Sequence, residues 1–145
     1  MLPRISNNAV SIARTTVTGT ASTINSGYVD MSKYMEILAK INTGAVGGTV
    51  DASLVQATDA AGSGSKAISG KVCTQITSAD QYCEIEFQQD EKDLLDLDNG
   101  FCFIGIEIII AGASFASGEI ISIYQSNEDN VPTDTVSDEI IRRTI

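Results

Sequence analysis

The chain has 145 residues, 43% of them hydrophobic, with a net charge of −10, three cysteines, and neither histidine nor tryptophan; this is the size and makeup of one globular domain. Without histidine, imidazole-based triads and dyads and His-containing zinc sites are excluded, and three cysteines without CxxC spacing make no metal site. The charge is uneven, six basic and four acidic side chains in residues 1–72 against three and fifteen in 73–145, which excludes the lysine and arginine clusters that nucleic-acid binding requires.

Residues 1–27 are rich in Ser, Thr and Asn and read as an N-terminal arm and a first strand over Thr15–Ser22. Residues 1–13 carry only isolated apolar side chains, so they are expected to extend along a partner, with Arg4, Ile5, Val10, Ile12 and Arg14 as contacts. No apolar run of signal-peptide length opens the chain, which implies synthesis and retention in a cytoplasm. Residues 28–135 read as a β-sandwich. Tyr28–Ser32 is a short edge strand or turn. The alternation from Tyr34 to Thr43 predicts a strand in competition with a helix over Ser32–Lys40; Gly44, Gly47 and Gly48 then turn the chain into a strand over Thr49–Thr58.

Asp59–Ser65 reads as a loop, Lys66–Ile76 as one or two strands, and Tyr82–Gln88 as a strand with Cys83, Ile85 and Phe87 inward. If 71–76 and 82–88 form a hairpin, Cys73 and Cys83 point to opposite faces, so all three cysteines, Cys102 included, are expected as free, mostly buried thiols. Asp90–Asp98 is an acidic connection, and Asn99-Gly100 a turn. Gly112–Ser114 and Ala116–Gly118 read as brackets of a turn before a last strand over Glu119–Gln125. Residues 136–145 read as a C-terminal tail.

Phe101–Ala111 stands apart. One face of this strand carries Cys102, Ile104, Ile106, Ile108 and Ile110; the other carries Phe101, Phe103, Gly105, Glu107 and Ile109. A half-solvated strand would alternate apolar with polar, so a second apolar face predicts a cover over it. Phe101, Phe103 and Ile109 are the candidate interface between copies of the chain, with a second internal core layer as the competing reading. The run is too short to span a bilayer as a helix.

Seven or eight short strands predict an all-β fold: a single-domain antiparallel β-sandwich, jelly-roll-like, with an extended N-terminal arm. No nucleophile–base motif is present, so no enzymatic activity, cofactor or metal is expected. Ser63-Gly64-Ser65-Lys66 lacks the Ser-x-x-Lys spacing, and the glycine-rich stretches lack a following Gly-Lys-Ser/Thr. Asp93–Gly100 departs from a calcium loop in its glycine position and its missing terminal glutamate.

Several segments together carry a resemblance. Val29-Asp30-Met31-Ser32-x-Tyr34, Ile41–Val46, Gly48–Asp59, Gly62-Ser63-Gly64, Leu95–Asp98 before an apolar strand, and Glu119–Gln125 before a Pro132-containing loop resemble small all-β virion structural proteins of tailed bacteriophages, of the capsid decoration or cement type. The resemblance spans residues 28–135. It implies a homo-oligomer, often a trimer, seated on the capsid exterior after assembly in the host cytoplasm. Its implied partners are the major capsid protein and its own copies, with neither nucleic acid nor membrane. The alternatives are a head–tail or tail-associated virion domain, or a carbohydrate-binding module.

Overall fold

The structure, a computed structural model, describes residues 10–125. It is all-β: strands β1 (Val10–Asn25), β2 (Val29–Asp30), β3 (Tyr34–Val46), β4 (Thr49–Ala57), β5 (Lys66–Val72), β6 (Tyr82–Phe87) and β7 (Phe103–Gln125) form one antiparallel sheet, interrupted only by two 3-10 turns at Gln89–Leu94 and Leu97–Asn99. The helix that competed for Ser32–Lys40 is absent, because the period-2 alternation places Ile37, Ala39 and Ile41 on one buried face.

The sheet is folded over into two layers, and β7 is the strand that does it. Its first half pairs with β4 and with the second half of β1; its second half pairs with β3 and with the first half of β1. Gly112, at φ +74°, lies between the halves, where the pairing passes from β4 to β3. The β3–β4 hairpin turns beside it, with the Gly47 N–H donating to Ala113 O at 2.8 Å. β1 shifts register at the same level, between Gly19 and Ala21. The expected turn at residues 112–118 is therefore continuous strand. Its glycines and small side chains serve packing: a Cβ on Gly118 would lie 3.1 Å from Ile106 Cδ1, so glycine leaves room for the facing layer.

Even-numbered positions of β7 are buried from Ile104 to Ile110 and from Ser114 to Ser122. Ile104, Ile106, Ile108, Ile110, Ala116 and Ile120 join Ile37, Ile41, Val50, Leu54 and Phe87 in the main core. β5 and β6 are the two ends of the sheet order β5-β4-β7-β3-β6, and the fold brings them together. A disulfide between Cys73, just past the end of β5, and Cys83 of β6 joins them, with the Cα atoms 6.3 Å apart. This corrects the expectation of free thiols. The premise failed because β5 and β6 are not a hairpin: β5 pairs with β4 and β6 with β3, so no shared ladder dictates the faces of Cys73 and Cys83. Cys102 is a free cysteine, and its burial raises the thiol pKa.

The acidic connection is docked on the sheet by a buried glutamine. Gln56 accepts from the Asp96 backbone N–H at 2.8 Å and donates to Ala67 O at 3.4 Å and Leu94 O at 3.5 Å. Leu95 is buried and Leu94 half-buried, whereas Leu97 is exposed.

Candidate interaction surface

The bend in β7 makes the most distinctive surface on the molecule. A Cβ on Gly48 would meet Ala111 O, and one on Gly112 would sit 2.7 Å from Gly48 N. The two backbones approach so closely that neither site admits a side chain. Around this corner the outward positions of β7 are Ile109, Ala111, Ala113 and Phe115, all exposed and none charged. Half-buried Glu107 and Glu119 border the stripe on either side. Thr23 of β1 lies opposite Ile109 and Thr18 opposite Phe115. The Phe115 ring rests over Gly44, where a Cβ would come within 3.2 Å of Cδ1.

Of the three residues expected at a subunit interface, only Ile109 lies on this stripe. Phe103 shares its outer face but belongs to a second cluster within the same chain, packed with Tyr28, Val55 and Ala57. The Tyr28 ring covers Gly105, to which an added Cβ would stand 3.0 Å from Cδ1 of the ring, and its other edge lies against Gly62. Tyr28 over Gly105, followed by Glu107, thus separates Phe103 from Ile109. Phe101 precedes β7, and its ring carries the Lys66 ammonium at 4.0 Å from the centroid. The second apolar face is therefore covered in part by the chain itself at Phe103 and left open at Ile109. Phe115 was missed, since its segment read as a turn; the unbroken outward alternation from Ile109 to Phe115 was the available signal.

The expected contacts of the arm divide in the same way. Val10, Ile12 and Arg14 belong to β1 and not to an extended arm, because Val10–Gly19 finds ladder partners along Ser114–Ser122. Ile12 packs on the main core, and Arg14 Nε donates to Ser11 Oγ at 3.0 Å and approaches Glu119 at 3.6 Å. Arg4, Ile5 and the tail at 136–145 lie outside the described residues.

The flank where β5 meets β6 is held together by ion pairs and a disulfide, and it exposes Val72 and Tyr82. Lys71 donates to Glu86 O at 2.8 Å and pairs with Glu91 at 2.5 Å. That hydrogen bond holds the Glu91 carboxyl below its ordinary pKa. Lys66 pairs with Asp96 at 2.5 Å and, with Asn99, lowers the Asp96 pKa. A groove of about 540 Å³ runs beside the disulfide, lined by Val72, Thr74, Gln75, Thr77, Ser78, Gln81, Tyr82 and Glu84 among others. Among the described residues no group of three or more Cys, Asp or Glu side chains is arranged to hold a metal ion.

No family model and no curated protein matches this sequence. Among solved structures the chain is similar to PirA, with a TM-score of 0.45 and 15% identity over 81% of this chain and 93% of that one. It is also similar to a protein of the disulfide-linked pili that form Bacillus endospore appendages, with a TM-score of 0.40 and 13% identity over 86% and 98% of the two chains. A third similarity is to the protein of T=1 particles derived from infectious bursal virus, with a TM-score of 0.26 and 9% identity; it covers 93% of this chain and 46% of the viral one. None of the three is a phage capsid protein.

Proposed function

We propose that this protein is a non-catalytic structural subunit of a virion, a decoration protein on the exterior of a tailed-phage capsid. Its partners are the major capsid protein and its own copies, with a trimer as the assembly the phage resemblance implies. The observation that carries the reading is the uncharged stripe Ile109–Ala111–Ala113–Phe115 on a chain of net charge −10. Exposed apolar side chains bordered by charge suit a contact surface. The disulfide between the sheet's two ends supports the role, because a body that holds its shape transmits force between the subunits it bridges. A ligand that binds only the assembled lattice stabilises it by mass action.

Co-sedimentation with undecorated capsids of the virus that encodes the chain tests the proposal. The protein should pellet with capsids, and Ile109→Asp/Phe115→Asp should pellet less with its unfolding midpoint unchanged. Absence of the wild-type chain from the capsid pellet refutes the decoration role.

A second reading, as a carbohydrate-binding module, is favoured by one observation. Tyr82, 71% exposed, stands at the hydroxyl- and amide-lined groove beside the disulfide, and an exposed aromatic beside hydrogen-bonding groups suits a sugar face. Binding of the isolated protein to a glycan array, lost in Tyr82→Ala, would replace the capsid reading with this one.

A further inference from the structure

Among the described residues β1 is the long sheet edge that no described strand closes, the two-residue β2 being the other strand that pairs with β7 alone. The free side of β1 runs the length of Val10–Asn25, about 50 Å at roughly 3.3 Å per residue. The edges at the ends of the strand order, β5 and β6, face each other across the Cys73–Cys83 bond and the Lys71–Glu86 contact. Exposed edges normally carry guards: lysine, proline, inward charge or short length. β1 has no lysine, no proline and no carboxylate, and its one charge, Arg14, is turned to Glu119 of its own chain. Threonine and valine fill it instead, residues that suit a pleated strand. Register shifts at Ser11/Ala13 and Gly19/Ala21 mark off one regular run, Ala13–Gly19.

The character of that run identifies what pairs with it. Most of the chain's acidic residues lie in its second half, and they give each copy its charge of −10. Two copies meeting along β1 bring together hydroxyls, methyls and Arg14, which faces Glu119 of its own chain, and no carboxylate of β1 itself. Phe115, 42% exposed opposite Thr18, supplies an apolar anchor beside the edge. We propose that Ala13–Gly19 is a self-pairing edge, joined antiparallel to the same run of a second copy about a twofold axis, so that the two sheets become one. A twofold contact uses the same patch on both partners, and main-chain hydrogen bonds supply its affinity. The inference rests only on the proposal that the chain binds its own copies, and it makes that contact twofold where the phage resemblance implies a trimer, so it is tested on the free protein.

The test compares the full chain with Thr16→Lys/Thr18→Lys. Both side chains are exposed, and Thr16 lies at the centre of the run, opposite its own copy, where like charges repel. Sedimentation velocity at micromolar concentration should show dimers or larger even-numbered assemblies for the wild type. The lysine variant should associate at least about tenfold more weakly, with its unfolding midpoint unchanged. Thr16→Val/Thr18→Val, which keeps the β-branched shape, should associate like the wild type. Hydrogen exchange should slow at alternate amides of 13–19 as wild-type concentration rises, and not in the lysine variant. A monomeric wild type, or association unaffected by the lysines, overturns the proposal. Association lost on deleting residues 126–145 but not with the lysines assigns the edge to that segment. Protection of 13–19 only on capsids assigns it to a strand of the coat protein. Either of those two outcomes also rejects self-pairing.

Discussion

Gly118 lies directly against Ile106 although both belong to β7; a Cβ on the glycine would stand 3.1 Å from Ile106 Cδ1 and 3.3 Å from Ile108 Cδ1. One strand thus supplies both layers of the core, and the glycine sets their separation. Gly118→Val inserts branched bulk between two fully buried isoleucines. It should destabilise the fold by about 1–3 kcal/mol, read as a lower urea midpoint. An unchanged midpoint would mean that the layers are not in contact at this level.

The Cys73–Cys83 bond closes a loop with a sequence separation of 10. Loop-closure entropy for that length makes it worth about 2–3 kcal/mol. Cys73→Ser/Cys83→Ser, or reduction of the wild type, should lower unfolding free energy by that amount. Thiol titration of the denatured, unreduced chain should detect Cys102 alone.

Glu91 and Asp96 are held below their ordinary pKa, chiefly by hydrogen bonds from Lys71 and Lys66 respectively. A carboxylate with a depressed folded-state pKa contributes stability in full above its unfolded value, about pH 4. That contribution is lost as pH falls through the lower folded value. The melting temperature should therefore decline below about pH 4.5. Lys71→Met should flatten that decline, measured by a pH series of thermal melts on both proteins.

Tyr28 is buried at 9% exposure, and its hydroxyl has no hydrogen-bond partner among the described residues. Removing an unsatisfied polar atom relieves a desolvation cost, so Tyr28→Phe should be neutral or stabilising by up to about 1 kcal/mol. Tyr28→Ala strips the cover from Gly105 and should cost about 3 kcal/mol. A Tyr28→Phe variant markedly less stable than wild type would reveal a partner for the hydroxyl.

Period-2 alternation made β3 and β6 legible, because each alternates buried with more open positions, and the glycines before β4 marked it as the second strand of a hairpin although Leu54–Ala57 are buried on both faces. The inward run Ile104–Ile110 was equally plain, and its doubly apolar character foretold a cover. What that cover is could not be read, since Tyr28 is distant in sequence and reaches Gly105 only through the pairing of β2 with β7. The bend hid the rest. Gly112, Gly118 and the small residues between them carry the composition of a turn, and only the facing isoleucines reveal that they pack a core. The disulfide was illegible for the related reason that it joins strands which are not ladder partners. β1 announced itself only over Thr15–Ser22, since its remaining residues are strand solely by virtue of the long partner beside them.

The segment from Thr74 to Gln81, solvent-exposed except at Ile76, is a natural place for a protease to cut. Because Cys73 and Cys83 bracket it, a single cut there leaves the two pieces covalently attached. Such a nicked molecule would migrate as one species on a gel without reductant and as two with it. The exposed turn can thus be clipped without shedding a fragment, and damage at this point stays silent until the bond is reduced.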